Sequence, residues 1–88
     1  ALRIGLVDRV VAPDDVYSSA FELATQLAHG PAYALRAAKE AIDRGLEVDL
    51  ETGLEIERVQ FAALFATQDR SIGMQSFIER RPAVFTGR

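Results

Sequence analysis

The chain contains no cysteine and no tryptophan, and only one histidine, three prolines and six glycines in 88 residues. Without cysteine there is no disulfide framework and no thiolate chemistry, which is compatible with a reducing cytoplasm, the expected location. A single histidine, His29, has no companion ligands for a zinc site and reads as a polar residue at a helix end. Long apolar runs are also missing. The stretch Phe61 to Ala66 is far too short to cross a bilayer, and no signal peptide is visible, so no membrane partner is expected. The phosphate loop, the dinucleotide-binding glycine pattern and the nucleophile elbow are all absent. No metal and no bound cofactor is expected.

What remains is ordinary for a folded protein: 49% hydrophobic and 26% charged residues, with a net charge of −3. That balance argues against a nucleic-acid partner, which would need a basic face. The charge is uneven, however. Residues 1–66 carry six Lys/Arg against eleven Asp/Glu, whereas residues 67–88 carry four Arg against two acids, Asp69 and Glu79. A basic end sits on an acidic body. The first residues, "ALRIGLVDRVVA", read as core material without an initiator methionine, which suggests a piece of a longer chain.

Periodicity predicts a mostly α chain: a short extended segment followed by about four helices. Gly5 can cap a turn formed by residues 1–4, and Leu6 to Val11 read as extended. Residues 1–12 are thus expected to be the end of a core or a linker, and 13–88 a helical unit. Pro13 with Asp14 and Asp15 marks a helix start. Val16, Ala20, Leu23, Ala24 and Leu27 form its apolar face. Gly30-Pro31 separates it from a second helix whose apolar side holds Ala34, Leu35, Ala38, Ala41 and Ile42, with Gly45 as the stop. A third helix is predicted from about Asp49 to Ala66. Its second half, "FAALFA", is apolar all round and calls for cover on two sides, more than 88 residues can supply. Thr67 is the predicted N-cap of a fourth helix, Asp69 favours its positive end, and Met74, Phe77 and Ile78 make its apolar stripe up to Pro82.

Carboxylates cluster at Glu47, Asp49, Glu51, Glu55 and Glu57, where a solvated helix start explains them better than acid–base catalysis; Glu57 is the one able to turn toward the apolar side. No residue is assigned as catalytic. In the tail, Phe77 with Arg80 and Arg81 can share one helix side, a ring beside guanidinium groups that suits a base and a phosphate. The competing reading, favoured on spacing alone, makes Phe77 core and the arginines solvated.

The segments "GLVDRVV", "PDD", "AAKEAI", "FAALFATQDRSIGMQSF" and "RRPAVFTGR", in this order, resemble the C-terminal part of the enoyl-CoA hydratase/isomerase (crotonase) family over essentially the whole chain. The resemblance implies a parent enzyme acting on acyl-CoA thioesters, with hydration of 2-enoyl-CoA in fatty-acid or related metabolism as the default reaction. It also implies that the ββα spiral core, with its oxyanion hole and acid–base glutamates, lies outside these residues, so that the 88 residues alone are inactive. Residues 13–88 would form a C-terminal oligomerisation domain, trimeric or hexameric in the family. Phe77 and Arg80 match the aromatic and basic positions that approach the adenine and 3′-phosphate end of coenzyme A; Arg replaces the more usual Lys. Ile72 stands where many relatives carry an acid just before the Gly-Met pair. A stand-alone helical interaction module without a ligand is the alternative reading.

Overall fold

A computed structural model describes residues 1–88; its regular structure is all helical, with no strand. The chain opens with a turn in which Leu6 N donates to Ala1 O (3.0 Å) and Gly5 N to Leu2 O (3.2 Å); Gly5 closes it at φ 77°. Residues 7–12 then run without regular structure into a 3-10 turn, Pro13–Asp15. Helix α1 follows at Val16–Ala28, α2 at Ala32–Gly45, α3 at Leu50–Ala63 and α4 at Gln68–Glu79.

The helix boundaries have local causes. Pro13 presets the φ of the first turn, and Ser18 Oγ donates back to Asp15 O at 3.1 Å. Gly30 makes the corner between α1 and α2. A Cβ there would stand 2.8 Å from a methyl of Leu35 and 3.3 Å from Leu27 O, so any side chain would push the Leu35 methyl aside and crowd the Leu27 carbonyl. Asp49 caps α3 by accepting from Thr52 N (3.1 Å) and Thr52 Oγ1 (2.6 Å). These two bonds hold the Asp49 carboxyl below its ordinary pKa, as expected for an acceptor bound in its charged form. The helix predicted to reach Ala66 ends at Ala63 and tightens into a 3-10 turn, Leu64–Ala66. Thr67 makes that break: its Oγ1 donates to Leu64 O (2.7 Å) and accepts from Arg70 N (3.2 Å), so one hydroxyl ends α3 and starts α4.

Only α2 and α3 pack against each other as a helix pair. They approach closely where Gly53 meets Gly45, a Cβ on Gly53 falling 3.5 Å from the Gly45 Cα. Ala37 is the one apolar residue counted as buried. The other helices project from this hairpin, giving a slab of 43 × 38 × 19 Å with a radius of gyration of 16.3 Å. A self-contained domain of this length would have about 12 Å. The apolar residues expected to form core faces or to need cover, including Val16, Leu27, Ile42, Phe61 and Phe65, are exposed. The cover that "FAALFA" requires does not come from these 88 residues.

Candidate functional site

The basic tail folds back along α4. Asp69, in the first turn, is 3% exposed and is one of two buried polar residues. Its Oδ1 accepts from Thr86 N (2.7 Å) and Thr86 Oγ1 (3.1 Å), its Oδ2 accepts from Gly87 N (2.9 Å), and its own N donates to Arg88 O (3.0 Å). One turn on, the Phe85 ring lies against Gly73, where a Cβ would stand 3.5 Å from the ring edge. Ser76 completes the strip, buried and donating to Gly73 O at 2.8 Å. Asp69, Gly73 and Ser76 fall at i, i+4 and i+7, one face of the helix. The covered face of α4 is therefore the small and polar one. The predicted apolar stripe of Met74, Phe77 and Ile78 is exposed.

Asp69 was expected at the positive end of the α4 dipole, and it is there; sequence reasoning missed its larger role as the anchor of the tail. Burial pushes its carboxyl up, and the bonds from Thr86 and Gly87 overcome that, so the net shift is downward. A carboxyl whose folded pKa is depressed stabilises the folded form fully above its unfolded value and loses that contribution as pH falls through the folded value. The Thr86 and Gly87 amide resonances of nitrogen-labelled protein should therefore hold still from neutral pH down to about 4 and shift together only below it. Movement centred near neutrality would contradict the anchor.

The chain must reverse after Glu79 to lay the tail over this face. Arg81 N donates to Ser76 O (3.0 Å) and Arg80 N to Phe77 O (3.3 Å), the paired bonds of a Schellman ending. Arg80 occupies its left-handed position, φ 54° and ψ 44°, the only non-glycine residue in the chain with positive φ. Such a position usually holds glycine, and an L-residue there costs about 1–2 kcal/mol. The helix predicted to extend toward Pro82 thus stops at Glu79, and Arg80 lies outside it rather than one turn along from Phe77. The two remain joined through the backbone bond, and Phe77 is 85% exposed. Arg81 is diverted into an ion pair with Glu79, which also accepts from Gln75 Nε2 (2.6 Å); these contacts, Gln75 first, lower the Glu79 pKa. Of the three predicted tail residues, Phe77 and Arg80 are the two left open.

Two other features bear on function. The Arg70 guanidinium lies 5.2 Å from the Phe65 ring centroid, and its solvent-shielded Nε has no acceptor among the 88 residues. Glu57 lines the groove between α2 and α3 beside Leu54 and Phe61, the orientation toward the apolar side that its position allows. No helix is long and apolar enough to cross a membrane.

The family model for enoyl-CoA hydratase/isomerase matches residues 1–88. A probable enoyl-CoA hydratase of Mycobacterium tuberculosis is 48% identical over 88 residues, which are 100% of this chain and 34% of that protein. The short-chain-enoyl-CoA hydratase of Clostridium acetobutylicum is 40% identical over 81 residues, 92% of this chain and 31% of its own. A solved enoyl-CoA hydratase structure from Geobacillus kaustophilus superposes with a TM-score of 0.95 at 39% identity, covering 100% of this chain and 34% of that one. One from Bacillus anthracis gives 0.92 at 39% identity with the same coverage. The chain spans about a third of the length of the relatives it matches.

Proposed function

This chain belongs to the enoyl-CoA hydratase/isomerase family, and from that premise we propose that it is the C-terminal helical layer of an enzyme that adds water across the double bond of 2-enoyl-CoA thioesters. In this reading the layer has two tasks. Its uncovered apolar faces join the spiral core of the same enzyme and neighbouring subunits, and Phe77 with Arg80 covers the nucleotide end of coenzyme A. The groups that carry the reaction lie in the other two-thirds of the enzyme. There, donors aimed at the thioester oxygen would stabilise the enolate formed as water adds, and carboxylates would move the protons. The thioester is the substrate, and no resident cofactor is involved.

The carrying observation is the α4 ending. It leaves the Phe77 ring and the Arg80 side chain exposed and without side-chain partners, joined by a backbone bond, while Arg81 is paired with Glu79. A guanidinium suits a phosphate because it can fork two hydrogen bonds onto it, and an exposed ring suits an adenine face. The exposed Phe61 and Phe65 support a covering surface supplied from outside these residues.

The test uses the full-length enzyme with a short 2-enoyl-CoA, following loss of the conjugated thioester. Phe77→Ala and Arg80→Ala should each raise KM by about tenfold, more than they lower kcat, as expected when binding common to substrate and transition state is removed. Unchanged KM in both variants would remove these residues from the coenzyme A contact, and absence of hydration by the parent protein would refute the reaction.

A further inference from the structure

We infer that Asp69 is a positioning residue for Arg80, acting through the tail it anchors; the inference rests on the reading that Arg80 contacts coenzyme A. Asp69 and Arg80 stand eleven positions apart, roughly 16 Å along a helix, so no direct contact links them. Between them the tail forms a strap. It is tied at one end by Thr86 and Gly87 on the Asp69 carboxylate, and it is pressed at the middle by Phe85 on Gly73. Its other end begins at Arg81, immediately after the left-handed Arg80.

The geometry gives the strap a mechanical consequence. Residues 82–88 can lie antiparallel on the Asp69–Gly73–Ser76 face only if the chain reverses directly after Glu79. The reversal is the left-handed conformation of Arg80. A residue bearing a side chain does not choose that conformation by itself; something must hold it. Within this chain the candidates are the two backbone bonds of the helix ending and the docked strap, and the backbone bonds form only once the reversal has been made. The carboxylate accepts three hydrogen bonds with both oxygens occupied, and it is buried with the tail docked. Asp69 is therefore the group on which the strap depends. Releasing it frees Arg80 to sample right-handed and extended conformations that redirect its side chain, and the fraction of enzyme able to grip the phosphate falls. Apparent affinity falls in proportion to that fraction.

The experiment compares three variants of the full-length enzyme. Asp69→Asn keeps the shape but turns an amide donor toward Gly87 N–H or toward Thr86. Gly87→Pro deletes one strap donor and forbids the positive φ of 76° without altering α4. Arg80→Ala reports what the arginine itself contributes. Each is assayed with a 2-enoyl-CoA and with the same acyl group on a pantetheine thioester that lacks the nucleotide. Trypsin cleavage after Arg80 reads the strap directly.

Asp69→Asn and Gly87→Pro should both raise the coenzyme A thioester KM by about three- to tenfold with kcat retained, in proportion to the loss of the competent conformer. Both should leave the pantetheine substrate unaffected, and both should speed cleavage between Arg80 and Arg81. If Arg80→Ala raises KM while both strap variants bind coenzyme A thioesters normally, the inference is wrong and the function stands. If Arg80→Ala leaves KM unchanged, the coenzyme A reading of Arg80 fails and the inference with it. If the strap variants lose activity equally on both substrates, Asp69 supports the fold at large and not Arg80.

Discussion

Expressed on its own, the 88-residue chain should self-associate as its concentration rises and never behave as a compact monomer. The cause is exposed apolar surface. Three of 88 residues are buried, and two of those, Asp69 and Ser76, are polar. The radius of gyration exceeds that of a self-contained domain of this length by about 4 Å. Folding of a single domain draws its stability from apolar area removed from water, about 25 cal/mol per Å². Here Phe21, Leu50, Phe61, Phe65, Met74 and Ile78 keep more than half of their surface in solvent. Exposed apolar patches of this extent mark interfaces or drive aggregation. Light scattering across a wide range of concentration, with a hydrophobic dye as a second readout, checks this. Mass should climb with concentration, and dye should bind at every point. A monomer of constant mass with no dye binding would show that these faces repack within the chain, and the covering role proposed for the missing two-thirds would lose its basis.

The distribution of that surface also explains what could be read from sequence. Helix starts were legible because their causes are local. Asp49 caps α3 through Thr52, three residues on, and Thr67 caps α4 through Arg70, again three residues on. The Gly30-Pro31 corner is local too, fixed by Leu27 and Leu35 within five residues. The tail anchor was not legible, because the Asp69 carboxylate meets Thr86 and Gly87 seventeen and eighteen residues later. An acid in the first turn of a helix already has a sufficient explanation in the dipole, so nothing in its spacing announces a second role. The end of α4 was misplaced for the same reason. Pro82 restricts Arg81 and is silent about Arg80, whose left-handed backbone is set by a strap docking on a distant face. Phe77 and Arg80 emerge as a pair from the family resemblance; helical spacing puts them together for a reason the structure replaces.

That left-handed arginine makes Arg80→Gly the most discriminating substitution in the chain. Glycine meets no steric penalty at φ 54° and is the usual residue at this place in a Schellman ending. Relief of the strained conformation should outweigh glycine's added freedom in the unfolded chain, so the variant should be as stable as the parent or more stable by about 0.5–1 kcal/mol. Ligand binding should move the other way. A guanidinium hydrogen-bonded to phosphate contributes about 1.5–3 kcal/mol, so affinity for coenzyme A thioesters should drop by about 10- to 100-fold. Arg80→Asn separates the causes, since asparagine tolerates the left-handed region and carries no charge: stability close to parent, binding lost. Arg80→Lys should retain most of the binding and lose only the fork. Denaturant titration and calorimetric binding on the full-length enzyme provide the two axes. Opposite signs on them would identify a residue kept at a strained helix end for what it binds. If stability and affinity instead fall together in Arg80→Gly, the guanidinium is part of the packing at the α4 terminus, and the coenzyme A contact must be sought elsewhere on the exposed face of α4.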